Sequence, residues 1–276
     1  MYQKLLVAVQ RPALYEKTPV RIWEDDHIAQ QMLQAHLNPH TDGATRNHGF
    51  VTQSAGWIGA LCPPKDYPRL VDFGCGPGIY GNLFSNSGYV VTGLDINPHA
   101  VCYAKGKAKE QGHGADYRVA DYLTVELEEQ YDIATLIWCD YGALDLEERK
   151  TLLQNIFRTL RPGGVLLLDV FTQHAMDGME STRYAYQEEG GFWSPLPHLV
   201  MEATHWYTGG VLCRQAVIVT EEQIAQYNIW EHYFSEEELV GELAAAGFTI
   251  EGLYGDVAGA HYEETSPILC ALAKKG

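Results

Sequence analysis

Val71-Asp-Phe-Gly-Cys-Gly-Pro-Gly78 is the stretch whose reading decides the fold. An apolar run at 70–73 enters it, and a helix-period run through Leu83 and Phe84 leaves it, so the glycines form a strand-to-helix turn. Glycine at such a turn lets a ligand approach the backbone where a side chain would block it. A bare G-x-G also occurs in nicotinamide dehydrogenases, but here Asp72 stands two residues before the first glycine, giving D-x-G-x-G-x-G. The next strand, 90–95, ends on Asp95, where a carboxylate can accept hydrogen bonds from both hydroxyls of a ribose.

Working outward, strand and helix alternate. Asn97 caps a helix with Pro98 at its first position. Residues 131–138 and 164–170 are continuous apolar runs, as expected of strands buried on both faces. Between them Leu152, Leu153, Ile156, Phe157 and Leu160 form one helical face closed by Arg161-Pro-Gly-Gly. This alternation predicts right-handed βαβ units and a parallel sheet. Upstream, Ile28, Ala29, Met32, Leu33 and Leu37 give a helical stripe stopped by Asn38-Pro39. A second helical stretch carries Phe50, Val51, Trp57, Ile58 and Leu61 and ends at Pro63-Pro64. Downstream, 198–207, 211–220 and 224–234 read as extended segments, the first two joined by Gly209-Gly210, hence an antiparallel meander. Ser235-Glu-Glu-Glu238 is a capping-box start for a helix ending at Gly247, and strands follow at 249–254 and 268–273. The expected organisation is a helical cap over 1–68, a core over 69–171, an inserted antiparallel lid over 172–233, and a helix and hairpin over 234–276 completing the core.

At about 150 residues per domain, 276 residues make roughly 1.8 domains. With 46% hydrophobic and 20% charged residues the chain can bury a real core. Nineteen basic against 36 acidic residues give a net charge of -17, which repels phosphate backbones and anionic lipid, so neither nucleic acid nor a membrane is an expected partner. The N-terminal apolar run is too short for a signal peptide, and no stretch approaches the ~18 apolar residues of a membrane span. Cys62, Cys75, Cys102, Cys139, Cys213 and Cys270 are scattered with no C-x-x-C pair, which points to a reduced, cytoplasmic protein with no metal site. A homodimer is left open.

The ordered set of motifs resembles the class I S-adenosylmethionine-dependent methyltransferases of the small-molecule type. The set comprises D-x-G-x-G-x-G, Asp95, Asp121-Tyr122 after the third strand, Trp138-Cys-Asp-Tyr141 after the fourth, and the R-P-G-G turn before the fifth. The resemblance covers about 69–171 and, through the closing helix and hairpin, 235–276. It implies a Rossmann-like, mostly parallel seven-stranded sheet in the order 3-2-1-4-5-7-6 with the seventh strand antiparallel. It also implies S-adenosylmethionine as cofactor and S-adenosylhomocysteine as product. Gly74, Cys75 and Gly76 would then face the amino-acid part of the cofactor, and Asp95, with Ile96 beside it, the ribose. Asp121 would accept from the adenine amino group, with Tyr122 at the ring and Trp138 nearby. Asp72 either joins this set or only caps the turn, and Gly78 and Gly81 read as turn and packing residues. Ala44-Thr-Arg46-Asn-His resembles the segment in which an arginine grips the cofactor carboxylate; a surface-helix arginine is the plainer reading.

Methyl transfer from a sulfonium needs alignment and exclusion of water, and a base where the acceptor must lose a proton. Asp140, Tyr141 and His174 lie after the fourth and fifth strands, where α/β sites gather, and are the candidate catalytic residues, with His205 and His232 behind them. Trp193, Trp206, Trp230 and Tyr233, together with Tyr207, either form the insert's own core or line an acceptor pocket, a small molecule being the expected partner. Interleaved Asp140, Glu202 and Glu231 permit, without establishing, a cationic amine held by charge and cation–π contacts. The expected reaction is N- or O-methylation of a small molecule. The alternatives are a carbon, sulfur or macromolecular acceptor, a non-catalytic S-adenosylmethionine-binding module, and a dinucleotide oxidoreductase, which Asp72 and Asp121 disfavour.

Overall fold

The structure is a computed structural model that describes residues 1–128, 130–175 and 181–276. Strands β1 (Arg69–Phe73), β2 (Val90–Asp95), β3 (Asp116–Val119), β4 (Tyr131–Leu136) and β5 (Leu160–Phe171) run parallel. With β10 (Phe248–Tyr254) and β11 (Ile268–Lys275) they form one sheet ordered β10-β11-β5-β4-β1-β2-β3. Strand β11 is antiparallel to both of its neighbours. This is the expected seven-stranded, Rossmann-like arrangement, with the last strand reversed between the fifth and sixth.

Side chains alternate across this sheet because successive residues of a strand point to opposite faces. On β5, Leu166, Leu168 and Val170 join a core with α6 (Leu146–Thr159) and α7 (Glu236–Ala245), whereas Val165 and Leu167 join the opposite core with α3 (His48–Leu61) and α4 (Ile79–Asn86). Helix α5 (Pro98–Gln111) packs Val101, Ala104 and Ala108 on Tyr117 of β3. It starts as the sequence indicates, with the Asn97 side chain accepting from the His99 and Ala100 amides. The full capping box falls instead at Asp145 and Glu148 of α6, while Ser235 caps α7 through Glu238 N–H alone.

Two boundaries differ from the sequence reading. Leu160 belongs to β5 rather than to the α6 face, and Arg161-Pro-Gly-Gly lies inside the strand, where the register with β4 shifts between Tyr131 and Ile133. Strand β4 stops at Leu136, because Trp138 and Cys139 take left-handed conformations (φ 81° and 61°).

A second, antiparallel sheet follows in the order β6 (Thr182–Gln187), β7 (His198–Tyr207), β8 (Val211–Val219) and β9 (Ile224–His232). Strand β6, exposed at every residue, was not foreseen in the meander. One face of this sheet is covered by the N-terminal segment. Ile22 and Ile28, the latter on α2 (Asp26–Leu37), are buried with Val200, Ala216, Ile218 and Tyr227. Helix α1 (Tyr2–Ala8) and the chain after it dock on the same sheet, where Gln215 Nε2 donates to the carbonyls of Ala8 and Gln10. Among the described residues no helix is long and apolar enough to cross a membrane.

Candidate active site

A cavity of about 630 Å³ opens above the carboxyl ends of β1, β2 and β4, the position at which open α/β sheets bind ligands. Its floor is the glycine loop, fixed because the amides of Gly74 and Cys75 both donate to Leu94 O of β2 (2.8 and 2.9 Å). Gly74 has φ +71°, and a Cβ there would run into the Asp140 carboxyl. Gly78 has φ +75° and meets Tyr117, so it serves loop packing, as read from the sequence.

Asp95 sits beside this loop with both oxygens engaged. Oδ2 accepts from Gly76 N–H and Oδ1 from Asn97 N–H, each at 2.7 Å. Every carboxylate oxygen has a second lone pair, so both remain able to accept from a diol. Asp72 accepts from Thr135 Oγ1 at 2.7 Å. Burial pushes its carboxyl up to about 7, against the Thr135 hydroxyl and helped by the Asp95 charge. Asp140 is pushed up to about 8 by burial and by Asp95, Asp169 and Asp72. Burial also raises Asp95, against the amides that bind it. Asp72, Asp95 and Asp140 line one cavity, and a positively charged ligand there would favour their charged forms.

Asp169 explains the twisted exit from β4. Its Oδ1 accepts from Trp138 N–H (2.7 Å) and Cys139 N–H (3.0 Å), holding the two left-handed residues that aim Trp138 and Asp140 into the cavity. Burial pushes this carboxyl up to about 6, opposed by those same amides. Next to Trp138 lies Arg46, with its guanidinium 4.4 Å from the ring centroid and its Nε buried without a hydrogen-bond partner. An orphaned guanidinium nitrogen is a donor awaiting an acceptor. Arg46 sits one residue beyond Ala44 and Thr45, which line the cavity.

Of the expected cofactor residues, Asp72, Gly74, Cys75, Gly76, Asp95, Ile96, Asp121, Tyr122 and Trp138 all line this one cavity. Asp121 is half committed elsewhere, since Oδ1 accepts from Leu123 N–H and Oδ2 pairs with Arg21 at 3.1 Å. Among the acceptor-side candidates, Asp140 and Trp230 line the cavity and the others do not. Tyr141 is fully buried and donates to Glu242, which Arg149 also clamps with two nitrogens, so it belongs to a structural network. His174 is exposed in the turn Gln173–Ala175. Trp193 stacks on Tyr227 and lines a separate small cleft with Asp25 and His27. Trp206 tilts against Tyr233, whose hydroxyl donates to Glu231. These two tryptophans and Tyr233 are therefore packing residues of the second sheet rather than cavity walls.

The sequence reading expected a helical cap and a lid but named none of the N-terminal residues that roof the cavity. Tyr15, Lys17, Arg21 and Trp23 close the cavity from above, with Lys17 paired to Glu148. His36 of α2 leans over Gly76, 3.3 Å from where its Cβ would stand, and burial pushes it down to about 4, so it is neutral. No motif marks these positions. Only the docking of the N-terminal segment brings them in.

The reversed seventh strand, the glycine loop after β1 and the acid ending β2 define a class I methyltransferase fold. Residues 70–164 match the family model described as a methyltransferase domain. A malonyl-[acyl-carrier protein] O-methyltransferase of Enterobacter lignolyticus is 30% identical over 136 residues, 49% of this chain and 50% of that one. The chain thus spans half the length of that relative. A S-adenosylmethionine-dependent methyltransferase from Clostridium acetobutylicum superposes with a TM-score of 0.66 at 13% identity, covering 91% of this chain and 97% of its own. An amino pentose methyltransferase from Micromonospora echinaspora, solved with S-adenosylmethionine bound, gives 0.58 at 18% identity, covering 97% and 100%.

Proposed function

We propose that this chain transfers the methyl group of S-adenosylmethionine to a nitrogen or oxygen of a small molecule, releasing S-adenosylhomocysteine. The observation that carries the reading is Asp95, poised at the end of β2 with its oxygens tied to the glycine loop and to the start of α5. When bound, the cofactor supplies an electrophilic methyl on a sulfonium. The chain's own residues fit it: the Gly74–Gly76 backbone leaves room for its amino-acid part, Asp95 accepts from its ribose, and Asp121 and Tyr122 receive the adenine. Arg46 Nε meets the carboxylate with a charge-assisted bond. The sulfonium draws the buried acids toward their charged forms and is held by them more strongly than the neutral product, which helps release after transfer.

A small acceptor is favoured because the cavity is roofed by the chain itself, by residues 15–24 and by Asn228, Ile229 and Trp230 of β9. In this reading the N-terminal segment and the inserted sheet act together as the lid. The likeness to an amino pentose methyltransferase agrees with a compact polar acceptor.

Calorimetry tests the assignment. S-adenosylmethionine and S-adenosylhomocysteine should bind and NADH should not; the reverse pattern sinks it. Arg46→Ala should weaken S-adenosylmethionine far more than 5′-methylthioadenosine, which lacks the carboxylate, and equal losses would remove Arg46 from the site.

A further inference from the structure

We propose that Tyr15, His232 and Glu238 form a proton relay that takes the proton from a hydroxyl acceptor; the inference rests on the methyltransferase reading above. Tyr15 lines the roof of the cavity, with its ring 5.2 Å from that of Trp230. Its hydroxyl lies 3.4 Å from His232 Nδ1. The other ring nitrogen, Nε2, lies 2.9 Å from Glu238 Oε1 in ion-pair contact rather than an aligned hydrogen bond. Such contacts are often long or bent before substrate binds and tighten with it.

Three further observations support a chemical role. Tyr15 has φ 55°, a left-handed backbone that a bulky residue rarely adopts and that clusters at functional sites. His232 is buried on Phe234, and its backbone carbonyl packs on Gly142. It therefore sits against the turn Asp140–Ala143 at the end of β4, next to the glycine loop. Burial raises the Tyr15 hydroxyl above its ordinary range, Arg149 opposing and Asp145 and Glu238 adding to the rise, so the phenol holds its own proton until Nδ1 takes it.

The arrangement has a direction. In the relay Nε2 carries its hydrogen toward Glu238, and that tautomer leaves Nδ1 to receive a proton. The acceptor O–H proton passes to the Tyr15 oxygen as the Tyr15 proton passes to Nδ1. The released oxygen lone pair forms the bond to the methyl carbon, and the C–S electron pair leaves with sulfur as the neutral thioether. The sulfonium's positive charge ends on the imidazolium beside Glu238. An ammonium loses its proton before attack and a neutral amine only after it, whereas a hydroxyl loses its proton during the attack, the step at which the relay acts, so a hydroxyl is the acceptor the relay matches. Tyr15 is the catalytic residue; His232 and Glu238 act through it.

The experiment has two arms on the full chain. Long-range ¹⁵N–¹H NMR of the imidazoles, with His232→Gln identifying the signal, should show the neutral Nε2–H tautomer. An Nδ1–H tautomer overturns the relay without any substrate. In the second arm, turnover is followed with catechols and sugar alcohols as hydroxyl probes and benzylamine as the amine probe. Tyr15→Phe should lower kcat on the hydroxyl probes by about 10²–10⁴-fold, with melting temperature and S-adenosylmethionine Kd unchanged. Parental turnover of a hydroxyl probe by Tyr15→Phe overturns the proposal, as does turnover of benzylamine with none of the hydroxyls. If no probe reacts, the tautomer decides. Failure of S-adenosylmethionine to bind would instead overturn the methyltransferase reading and is read separately, by calorimetry.

Discussion

The floor and the roof of the cavity are built in opposite ways. The floor is local: Gly74, Gly76 and Asp95 lie within two consecutive βα units and are tied together by backbone amides. The roof is assembled from chain ends far apart in sequence. Trp230 Nε1 and Asn228 Nδ2 donate to Glu16 O, Tyr227 donates to Asp25, and Tyr207 donates to Pro12 O. A floor held by backbone geometry can be specified by a short motif, whereas a roof held by side chains must be specified by complementary surfaces. Cofactor affinity and fold stability should therefore respond to different substitutions.

The sharpest separation is expected at Trp230. Replacing it with Ala removes a nearly buried indole packed on Tyr15 and Tyr207, a loss of about 3–5 kcal/mol in chemical denaturation. S-adenosylhomocysteine affinity of the folded fraction should stay within about 0.5 kcal/mol, as for distant sites. A Kd that collapses along with stability would erase the distinction between floor and roof. Asp95→Ala is the converse, with cofactor binding weaker by about 1.5–3 kcal/mol, the scale of hydrogen bonds to a charged group. Calorimetry returning the parental Kd would mean that the ribose lies elsewhere.

The smallest effect concerns pH. In the folded apoprotein Asp72 and Asp140 keep protons up to about 7 and 8, while unfolded carboxyls release theirs near 4. The folded state holds the extra protons, so these groups make stability fall as pH rises from about 4 to about 8. Asp140→Asn removes one of them and should raise the apoprotein's melting temperature at pH 8 by about 2–4 °C, corresponding to roughly 1 kcal/mol, with the gain vanishing near pH 4. A gain of equal size at both pH values would assign it to packing rather than to charge.

The same division governs what the sequence discloses. The sheet order, the α5 cap at Asn97 and the floor residues follow from periodicity and from a motif whose residues are neighbours in the chain. Trp193, Trp206 and Tyr233 looked equivalent to Trp230 because aromatic residues on a half-buried sheet do not announce which face meets the cavity. Strand β6 escaped notice because its alternation carries no buried face. Tyr15 and His36 are invisible for a further reason: each becomes part of the site only through a contact across the fold. Asp169 sits in an apolar run and reads as a strand residue until the left-handed turn it holds is seen.

The separation along the chain between the N-terminal segment and the strands that cover it has a kinetic consequence. Ile22 and Tyr15 acquire their partners only once β7, β8 and β9 exist, roughly 200 residues later in synthesis. At about 5–20 residues per second on a ribosome, that delay is on the order of 10–40 s. The βαβ units of the floor can order during this interval, since their contacts are short in sequence. The roof therefore closes over a cofactor half, β1 to β4, that has already had time to form.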